Sequence, residues 1–372
     1  MKKYFYSLGL MSGTSGDGVD ASIIQSDGDT AYKVILDKYF KYNEEIYTKI
    51  HSLKDKINNL KDLRRLSKKI EFVEKEITLF HASSINKIVK FFKKDIDFIG
   101  FHGQTIFHDP KKKISKQLGD GKLLSKLTKK TVIYNFREND LNNNGQGAPL
   151  SPIFHKLLVK QHRINLPVCI LNLGGIANAT VIKLNNNFYS QDIGPANCLI
   201  DEWIRKKTKK RYDIDGLLAQ SGKKDEAILD KAIKKFNKQK NRLIQSLDTK
   251  NFSSSFVDSL SLKDGAATLT EFSGKIVGSN LFSLLCKENN KSWTVLVCGG
   301  GRKNYTLMES IKKNYYKSIT LKSIDDYGIN GDFVESQAFA YLAIRSYLNL
   351  PISFPKTTGV YKAVSGGVIC KN

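Results

Sequence analysis

The chain has 372 residues, which is too long for one ordinary hydrophobic core, so two domains are expected. Hydrophobic residues make up 41%, a normal share for a globular protein, and no apolar run approaches the roughly 20 residues that would span a bilayer. The apolar run near the N-terminus is interrupted by glycines and lacks a small-residue cleavage site, unlike a signal peptide. The composition therefore predicts a cytoplasmic protein with no membrane partner.

The net charge of +24, from 60 Lys and Arg against 36 Asp and Glu, makes a nucleic-acid partner conceivable. The lysines are spread along the whole chain, however, and the densest basic cluster, 205–211, lies at a predicted helix end. A solvated basic surface is the favoured interpretation, and it predicts no nucleic-acid partner. Such a surface also favours anionic small substrates, although salt screens the effect.

A glycine-rich turn joins the first two predicted strands. Tyr4 to Leu10 and Val19 to Ile24 have the composition of buried strands, and Gly, Ser, Thr and Asp lie between them. Glycines supply the positive φ angles of a tight hairpin turn, and such a turn exposes backbone N–H groups that can bind phosphate. The Asp17 carboxylate can hold Mg²⁺ through water. A surface hairpin without a ligand is the alternative.

Two further glycine turns follow in the second half of the chain. Gly174 and Gly175 separate two predicted strands, and Gly299 to Gly301 connect a predicted strand to a helix that starts near Asn304. Glycines at a strand-to-helix turn let a flat adenosine approach the backbone. Two glycine hairpins that each open a β-rich half are typical of the actin, hexokinase and Hsp70-type ATPase fold, and the third turn supports that prediction.

Polar residues follow two predicted strands in the first half. His102 and Gln104 come after the strand Ile96 to Phe101, and Arg137 follows the strand Thr131 to Phe136. Ligands of α/β proteins bind at such strand ends, so His102 and Gln104 are candidates to hydrogen-bond a hydroxylated ligand. The fork of donors on Arg137 suits a carboxylate or a phosphate. A structural histidine is the alternative for His102.

Two carboxylates complete the set of candidate residues. Asp192 lies at a predicted strand end before a rigid Gly-Pro turn, where a side chain can act as a positioned general base. Glu335 lies at the start of a predicted apolar helix. A carboxylate at a helix N-terminus is also commonly explained by the helix dipole, and that alternative stays open for Glu335.

These motifs, in this order, resemble those of the anhydro-N-acetylmuramic acid kinases, a family of the actin/hexokinase superfamily. The resemblance spans essentially the whole chain, and the matching stretches are Gly9–Asp20, His102–Thr105, Asn135–Arg137, Gly145–Leu150, Asn172–Asn178, Asp192–Asn197, Asp264–Thr270, Cys298–Asn304 and Glu335–Ala343. It implies a cytoplasmic, homodimeric sugar kinase of cell-wall recycling that uses ATP and Mg²⁺. The implied reaction opens the 1,6-anhydro ring of anhydro-N-acetylmuramic acid with water and phosphorylates O6, giving N-acetylmuramate 6-phosphate.

The resemblance also implies residue roles. Asp192 is the implied catalytic base, and Arg137 is similar to the residue that meets the lactyl carboxylate of the sugar. His102, Gln104 and Glu335 match positions near the sugar. The implied nucleotide-binding residues are Gly13, Thr14, Ser15, Gly16, Asp17, Gly18, Val19 and Asp20 for the β/γ-phosphates, with Gly174, Gly175, Gly299, Gly300 and Gly301 in the other two turns. No protein ligand of the metal is assigned.

The chain departs from the family pattern at several positions. Gly16 stands where a larger apolar residue is usual, which would loosen the phosphate loop. Ile193 and Ala196 replace a Thr and a Gly beside the implied base. Residues 243–248 keep only part of a Pro-Pro-Lys-Ser-type motif. These departures leave room for reduced activity or a shifted substrate.

The predicted architecture is two α/β domains of the actin/hexokinase-like (ribonuclease H-like) fold with a nucleotide cleft between them. The first domain covers 1–138, with a C-terminal segment of about 345–372 returning to it, and the second covers 139–344. A kinase of the same fold for another anhydro- or amino-sugar is one alternative. A non-catalytic ATP-binding protein and a nucleic-acid-binding protein are the others.

Overall fold

The computed structural model describes residues 3–240, 246–288, 292–315 and 318–371. The described strands are β1 Phe5–Ser12, β2 Gly18–Ser26, β3 Tyr32–Lys41, β4 Phe98–Asp109, β5 Ile114–Leu118, β6 Thr131–Tyr134, β7 Val168–Leu173, β8 Ile176–Ile182, β9 Phe188–Pro195, β10 Trp293–Cys298, β11 Ile319–Ser323 and β12 Val368–Cys370. The helices are α1 Glu44–Lys56, α2 Leu60–Arg65, α3 Ser67–Val89, α4 Gly121–Thr128, α5 Glu138–Asn142, α6 Pro152–Gln161, α7 Cys198–Lys207, α8 Leu217–Gln220, α9 Glu226–Lys240, α10 Leu262–Leu285, α11 Tyr305–Lys313 and α12 Val334–Tyr347. None of these helices combines the length and the apolar composition needed to cross a bilayer.

The chain divides into two compact units. One comprises Met1–Arg163 with Phe333–Asn372, and the other comprises Ile164–Asp332. The sheet of the first unit has the order β12-β6-β4-β1-β2-β3, with β5 paired to β4, and that of the second has the order β11-β10-β7-β8-β9. The domain limits inferred from the sequence, at 138 and 344, remain a prediction.

The two sheets repeat one topology. Strands β3-β2-β1 are antiparallel neighbours, and β4 and β6 continue the sheet parallel to β1. Strands β9-β8-β7 and then β10 and β11 repeat this order and these directions. Each glycine hairpin predicted from the sequence joins the first two strands of one sheet. The mixed α/β class is thus confirmed, and the repeated sheet agrees with the predicted two-domain actin/hexokinase-like fold.

Helix α12 lies directly against the sheet of the first unit, and two strand glycines allow this close contact. A Cβ at Gly9 would lie 1.9 Å from the backbone oxygen of Ser336, and one at Gly100 would lie 2.2 Å from that of Phe339. Any other residue at either position would push the helix away. Gly9 therefore serves packing, and it holds the helix whose first turn carries Glu335.

Strand β4 is longer than the sequence pattern predicts. It continues to Asp109, so His102 and Gln104 lie inside the strand and not beyond its end. The extension is stabilised by a hairpin with β5, in which Gln104 pairs with Leu118. Arg137 likewise does not end a strand, because β6 stops at Tyr134 and Arg137 is the N-cap residue of α5. The predictions that placed these residues at strand ends were wrong in this detail.

Candidate active site

The turn between β1 and β2 is hydrogen-bonded to Gln104 of β4. The side-chain amide of Gln104 donates to the backbone oxygen of Gly13 over 3.0 Å, and the Gly16 N–H donates to the same oxygen over 3.1 Å. Ser12 Oγ lies 2.7 Å from Gln104 Oε1 and 2.9 Å from the Gly18 oxygen. Gln104 is fully buried by these contacts. The structure thus places Gln104 against the turn, while its predicted role at the sugar stays a prediction.

The glycines of this turn differ in what they do. Gly18 is required by packing, because a Cβ there would lie 2.4 Å from the Phe40 oxygen, and Gly16 has a positive φ of 64°. Gly13 has no such constraint, since a Cβ there would meet no heavy atom within 4 Å. A glycine that the fold does not need keeps the backbone accessible to a ligand. Gly13 is therefore the position of this turn best suited to close phosphate approach.

Helix α1 makes two contacts with this turn that sequence reasoning missed. His51 Nε2 lies 2.9 Å from the Ser15 backbone oxygen, and Lys54 Nζ lies 2.5 Å from that of Thr14. Helical periodicity predicts a core face for α1, but it does not predict which polar side chains reach a loop about 40 residues away. Asn43 is the N-cap residue of α1, and its side chain accepts a hydrogen bond from the Ile46 N–H.

The β7–β8 turn in the second unit is tied to the start of α7. The Gly174 oxygen accepts hydrogen bonds from the Asn197 backbone and side chain over 3.2 and 2.9 Å. The Gly175 oxygen accepts from the N–H groups of Ala196 and Cys198. A trans peptide directs its C=O and N–H oppositely, so the Gly175 N–H points away from Asn197. This geometry leaves it available for an anion.

The third glycine turn packs against the second. A Cβ at Gly301 would lie 2.7 Å from Leu173 Cβ, and one at Gly299, whose φ is 80°, would lie 2.4 Å from Asn172 Oδ1. A Cβ at Gly300, by contrast, would meet no heavy atom within 4 Å. The fold therefore requires Gly299 and Gly301, whereas Gly300 resembles Gly13 in exposing backbone that the packing leaves uncovered.

Arg302 fastens this third turn to the loop before α12. Its guanidinium donates to the Gly299 oxygen over 3.1 Å, to Asp332 Oδ1, and in a bidentate arrangement to both oxygens of Asp325. Its side chain is only 7% exposed. Hydrogen bonds from Arg302 hold the pKa of Asp325 well below its usual range. Burial works to raise the pKa of Asp332, but the bonds from Arg302 and Lys303 lower it overall.

Asp192 lies near the end of β9 and is partly buried, whereas its neighbour Ile193 is buried. Its Oδ2 accepts a hydrogen bond of 2.7 Å from the Leu247 N–H, and Ser246 Oγ lies 3.3 Å away. Ile193 belongs to the apolar core of the second unit, so its replacement of a Thr is accommodated by packing. Residues 243–245 of the partly kept motif lie outside the described residues.

His102 and Arg137 are in direct contact in the first unit. Arg137 Nη2 lies 3.0 Å from His102 Nε2, and His102 Nδ1 lies 2.8 Å from the Gly103 oxygen. A guanidinium only donates, so Nε2 accepts and Nδ1 carries the proton. Burial and then the charge of Arg137 lower the pKa of His102 to about 3, so the ring is neutral at pH 7. The pair is a guanidinium oriented by a neutral imidazole.

Glu335 lies in the first turn of α12, and its side chain is partly buried. Phe339, four residues later on the same helix face, packs its ring 4.5 Å from the His102 ring. Glu335 therefore lies on the side of α12 that faces His102. No group of three or more His, Cys, Asp or Glu side chains that could hold a metal ion occurs within the described part of the chain.

Comparison with known proteins gives a full-length match. The family model described as "Anhydro-N-acetylmuramic acid kinase" matches residues 5–372. The anhydro-N-acetylmuramic acid kinase of Pelagibacter ubique is 54% identical over 374 residues, with 100% of both chains covered. That of Zymomonas mobilis is 38% identical, with 98% of this chain and 99% of the relative covered. Among solved structures, a hexokinase from Schistosoma mansoni complexed with glucose is similar to this chain with a TM-score of 0.44 and 10% identity. The match covers 91% of this chain and 85% of the hexokinase chain, and this similarity is too low to support an argument.

Proposed function

The chain belongs to the anhydro-N-acetylmuramic acid kinase family, and from this premise we propose how its residues divide the reaction. The protein is a sugar kinase that acts on a small-molecule amino sugar. In the family reaction, water adds to the anomeric carbon of the 1,6-anhydro sugar and the bond from that carbon to O6 breaks. The freed O6 attacks the γ-phosphorus of ATP, ADP departs, and N-acetylmuramate 6-phosphate is formed.

Asp192 is the proposed general base. It removes a proton from the attacking water as the oxygen of that water bonds to the anomeric carbon. The observation that carries this assignment is the hydrogen bond from the Leu247 N–H to Oδ2, because it orients the carboxylate through the backbone. A general base must be held within reach of the proton it abstracts, and a backbone donor holds it without depending on a mobile side chain.

The three glycine turns are the proposed ATP-binding elements. The β1–β2 and β7–β8 turns offer backbone N–H groups to phosphate, and the turn at Gly300 offers an uncovered backbone to adenosine. Mg²⁺, when bound with the nucleotide, neutralises charge on the phosphates and needs only one or two protein carboxylates. Asp17, partly buried at the end of the first turn, suits that water-mediated role. Positioning and electrostatic stabilisation account for most of the catalysis of phosphoryl transfer.

Arg137 and Glu335 are proposed to position the sugar. The guanidinium of Arg137, oriented by the neutral His102, pairs with the lactyl carboxylate, a role for which its planar fork is suited. Glu335, held by the close packing of α12, contacts the sugar or its attacking water. A cytoplasmic location and a homodimer are implied by the family resemblance and remain predictions.

The deciding experiment is a coupled assay with ATP, Mg²⁺ and anhydro-N-acetylmuramic acid, with mass spectrometry of the product. A mass gain of one water plus one phosphoryl group is expected. Consumption of ATP without that product would point instead to another anhydro- or amino-sugar. No consumption of ATP in the presence of the sugar would favour the non-catalytic alternative and direct attention to Gly16 and Ile193.

A further inference from the structure

We propose that His51 and Lys54 of helix α1 are positioning residues for the phosphates of ATP. They act by holding the β1–β2 turn with its N–H groups directed at the nucleotide. This inference rests on the proposed role of that turn in binding phosphate. It extends that role to helix α1, which lies outside the stretches that match the family.

Three successive carbonyl groups of the turn are each bound by a side chain. Gln104 of β4 donates to the Gly13 oxygen over 3.0 Å. Lys54 donates to the Thr14 oxygen over 2.5 Å, and His51 Nε2 lies 2.9 Å from the Ser15 oxygen. Because a carbonyl oxygen only accepts, the His51 Nε2 must carry the proton of that bond. Two elements that lie far apart in the sequence thus bind one side of the turn.

The consequence follows from peptide geometry. The cis peptide bonds of the described residues lie elsewhere, at Pro149 and Pro167, so the peptides of the turn are trans. In a planar trans peptide the C=O of one residue and the N–H of the next point in opposite directions. Holding the Gly13 and Thr14 oxygens therefore directs the N–H groups of Thr14 and Ser15 away from β4 and α1. Adjacent N–H groups on one side of a turn form an anion-binding concavity.

The two helix residues are themselves held in place. The ring of Tyr47, one turn earlier on α1, packs 4.4 Å from the ring of His51 and limits its movement. A Cβ at Gly16 would lie 3.2 Å from Ile50 Cγ2, so the turn rests directly on the face of α1 that carries His51 and Lys54.

The test is a steady-state comparison of KM for ATP and KM for the sugar in matched variants. Lys54→Met and His51→Leu each remove one side-chain hydrogen bond to the turn. Each variant is expected to raise KM for ATP about tenfold. KM for the sugar should stay within about twofold, because the turn does not bind the sugar. Lys54→Arg and His51→Gln keep a donor at each position and should restore much of the ATP affinity.

Lys56→Met is the matched control for charge. Lys56 lies on the same helix and is exposed, so this variant removes the same charge without touching the turn. Its KM for ATP should equal that of the parent protein. If Lys56→Met raises KM for ATP as much as Lys54→Met does, general electrostatics explains the effect and the proposal is wrong. If His51→Leu fails to fold, the partly exposed Lys54 still decides the question.

Gly13→Val separates this inference from the function on which it rests. The fold has room for the side chain at this position, so the variant should fold normally while blocking phosphate. An increased KM for ATP in Gly13→Val with unchanged values in Lys54→Met and His51→Leu would overturn the inference alone. An unchanged KM for ATP in Gly13→Val would overturn the phosphate-binding role of the turn and the inference with it.

Discussion

The backbone N–H of Leu247 donates a hydrogen bond to Asp192 Oδ2 across 55 positions of sequence. Ser246 adds a longer contact of 3.3 Å to the same oxygen. A backbone donor survives substitution of its own side chain, so the orientation of this carboxylate does not depend on the identity of residue 247. Substitutions at Asp192 therefore test its chemistry more than its placement.

Asp192→Asn should abolish most of the activity while the protein stays folded. The amide oxygen of the new side chain can still accept from the Leu247 N–H, but the side chain cannot take a proton from water. General base catalysis contributes about 10²- to 10⁴-fold, so kcat should fall by that factor with small changes in both KM values. The coupled assay measures kcat, and thermal unfolding checks the fold.

Ser246→Ala is the control for this prediction. It removes the longer contact to Oδ2 and leaves the bond from the Leu247 N–H in place, so kcat should decrease by less than about tenfold, as expected for loss of a weak hydrogen bond. A parental rate in Asp192→Asn would show that another group acts as the base.

The main strands and the three glycine turns could be predicted from the sequence, because strand alternation and turn chemistry are local properties. The roles of individual residues within the turns could not be predicted in this way. Gly13 and Gly301 look alike in the sequence, yet a Cβ at Gly13 would meet no heavy atom within 4 Å, whereas one at Gly301 would lie 2.7 Å from Leu173 Cβ. That difference depends on which strands become neighbours in the sheet, and no local pattern contains it.

The contacts between distant segments were also beyond the reach of sequence reasoning. His102 could be singled out as a candidate, but its neutral state depends on burial and on Arg137, which lies 35 positions away. The contacts of α1 with the β1–β2 turn and of Leu247 with Asp192 likewise join segments that only the folded chain brings together. The hairpin with β5 that lengthens β4 was missed for the same reason.

Arg302→Ala should both destabilise the protein and weaken ATP binding. It removes the buried cationic partner of the Asp325 and Asp332 carboxylates and a donor to the Gly299 oxygen. Breaking a buried ion pair costs about 3–5 kcal/mol, and about 2–3 kcal/mol is expected here because both carboxylates are partly exposed. Chemical denaturation gives the free energy of unfolding, and KM for ATP should rise in parallel.

Lys303→Ala provides the matched control for Arg302. Lys303 pairs with the same Asp332, but its side chain is 55% exposed. An exposed ion pair contributes less than about 1 kcal/mol, so stability should change little. Equal destabilisation by the two variants would contradict the role given to Arg302 in fastening the turn.

Acid should destabilise the first unit before the second. Four histidines of the first unit, three of them buried and His108 partly buried, have pKa values lowered by burial: about 4 for His81 and His155, and about 3 for His102 and His108. Below the ordinary pKa of 6.5 the unfolded chain binds more protons than the folded one, so stability is lost as the pH falls from about 6.5 toward 4. Each histidine should cost about 1–2 kcal/mol by pH 5.

Hydrogen exchange at pH 7.5 and 5.5, compared at matched intrinsic rates, would test this expectation. The six histidines of the chain all lie between positions 51 and 162, so the second unit carries none. Protection of core amides in β1 and β4 should fall more steeply than that in β7 and β10. An equal loss of protection in both sheets would mean that the histidines do not dominate the acid response.

Gly300→Ala and Gly301→Ala should produce opposite patterns, although the two residues are neighbours. At Gly300 a methyl group meets no protein atom within 4 Å, so stability should be nearly unchanged. At Gly301 a Cβ would lie 2.7 Å from Leu173 Cβ and 2.8 Å from Asn197 Nδ2, so the packing must shift. Such overpacking typically costs about 1–3 kcal/mol.

The activity of the same pair tests the adenosine assignment. If adenosine lies against the backbone at Gly300, the methyl group of Gly300→Ala should raise KM for ATP while the melting temperature stays at the parental value. Gly301→Ala should lower the melting temperature and raise KM for ATP only to the extent that the turn moves. A parental KM for ATP in Gly300→Ala would mean that the nucleotide does not approach this turn. Gly300 would then be a position where the fold merely has room for a side chain, and it would not be a binding position.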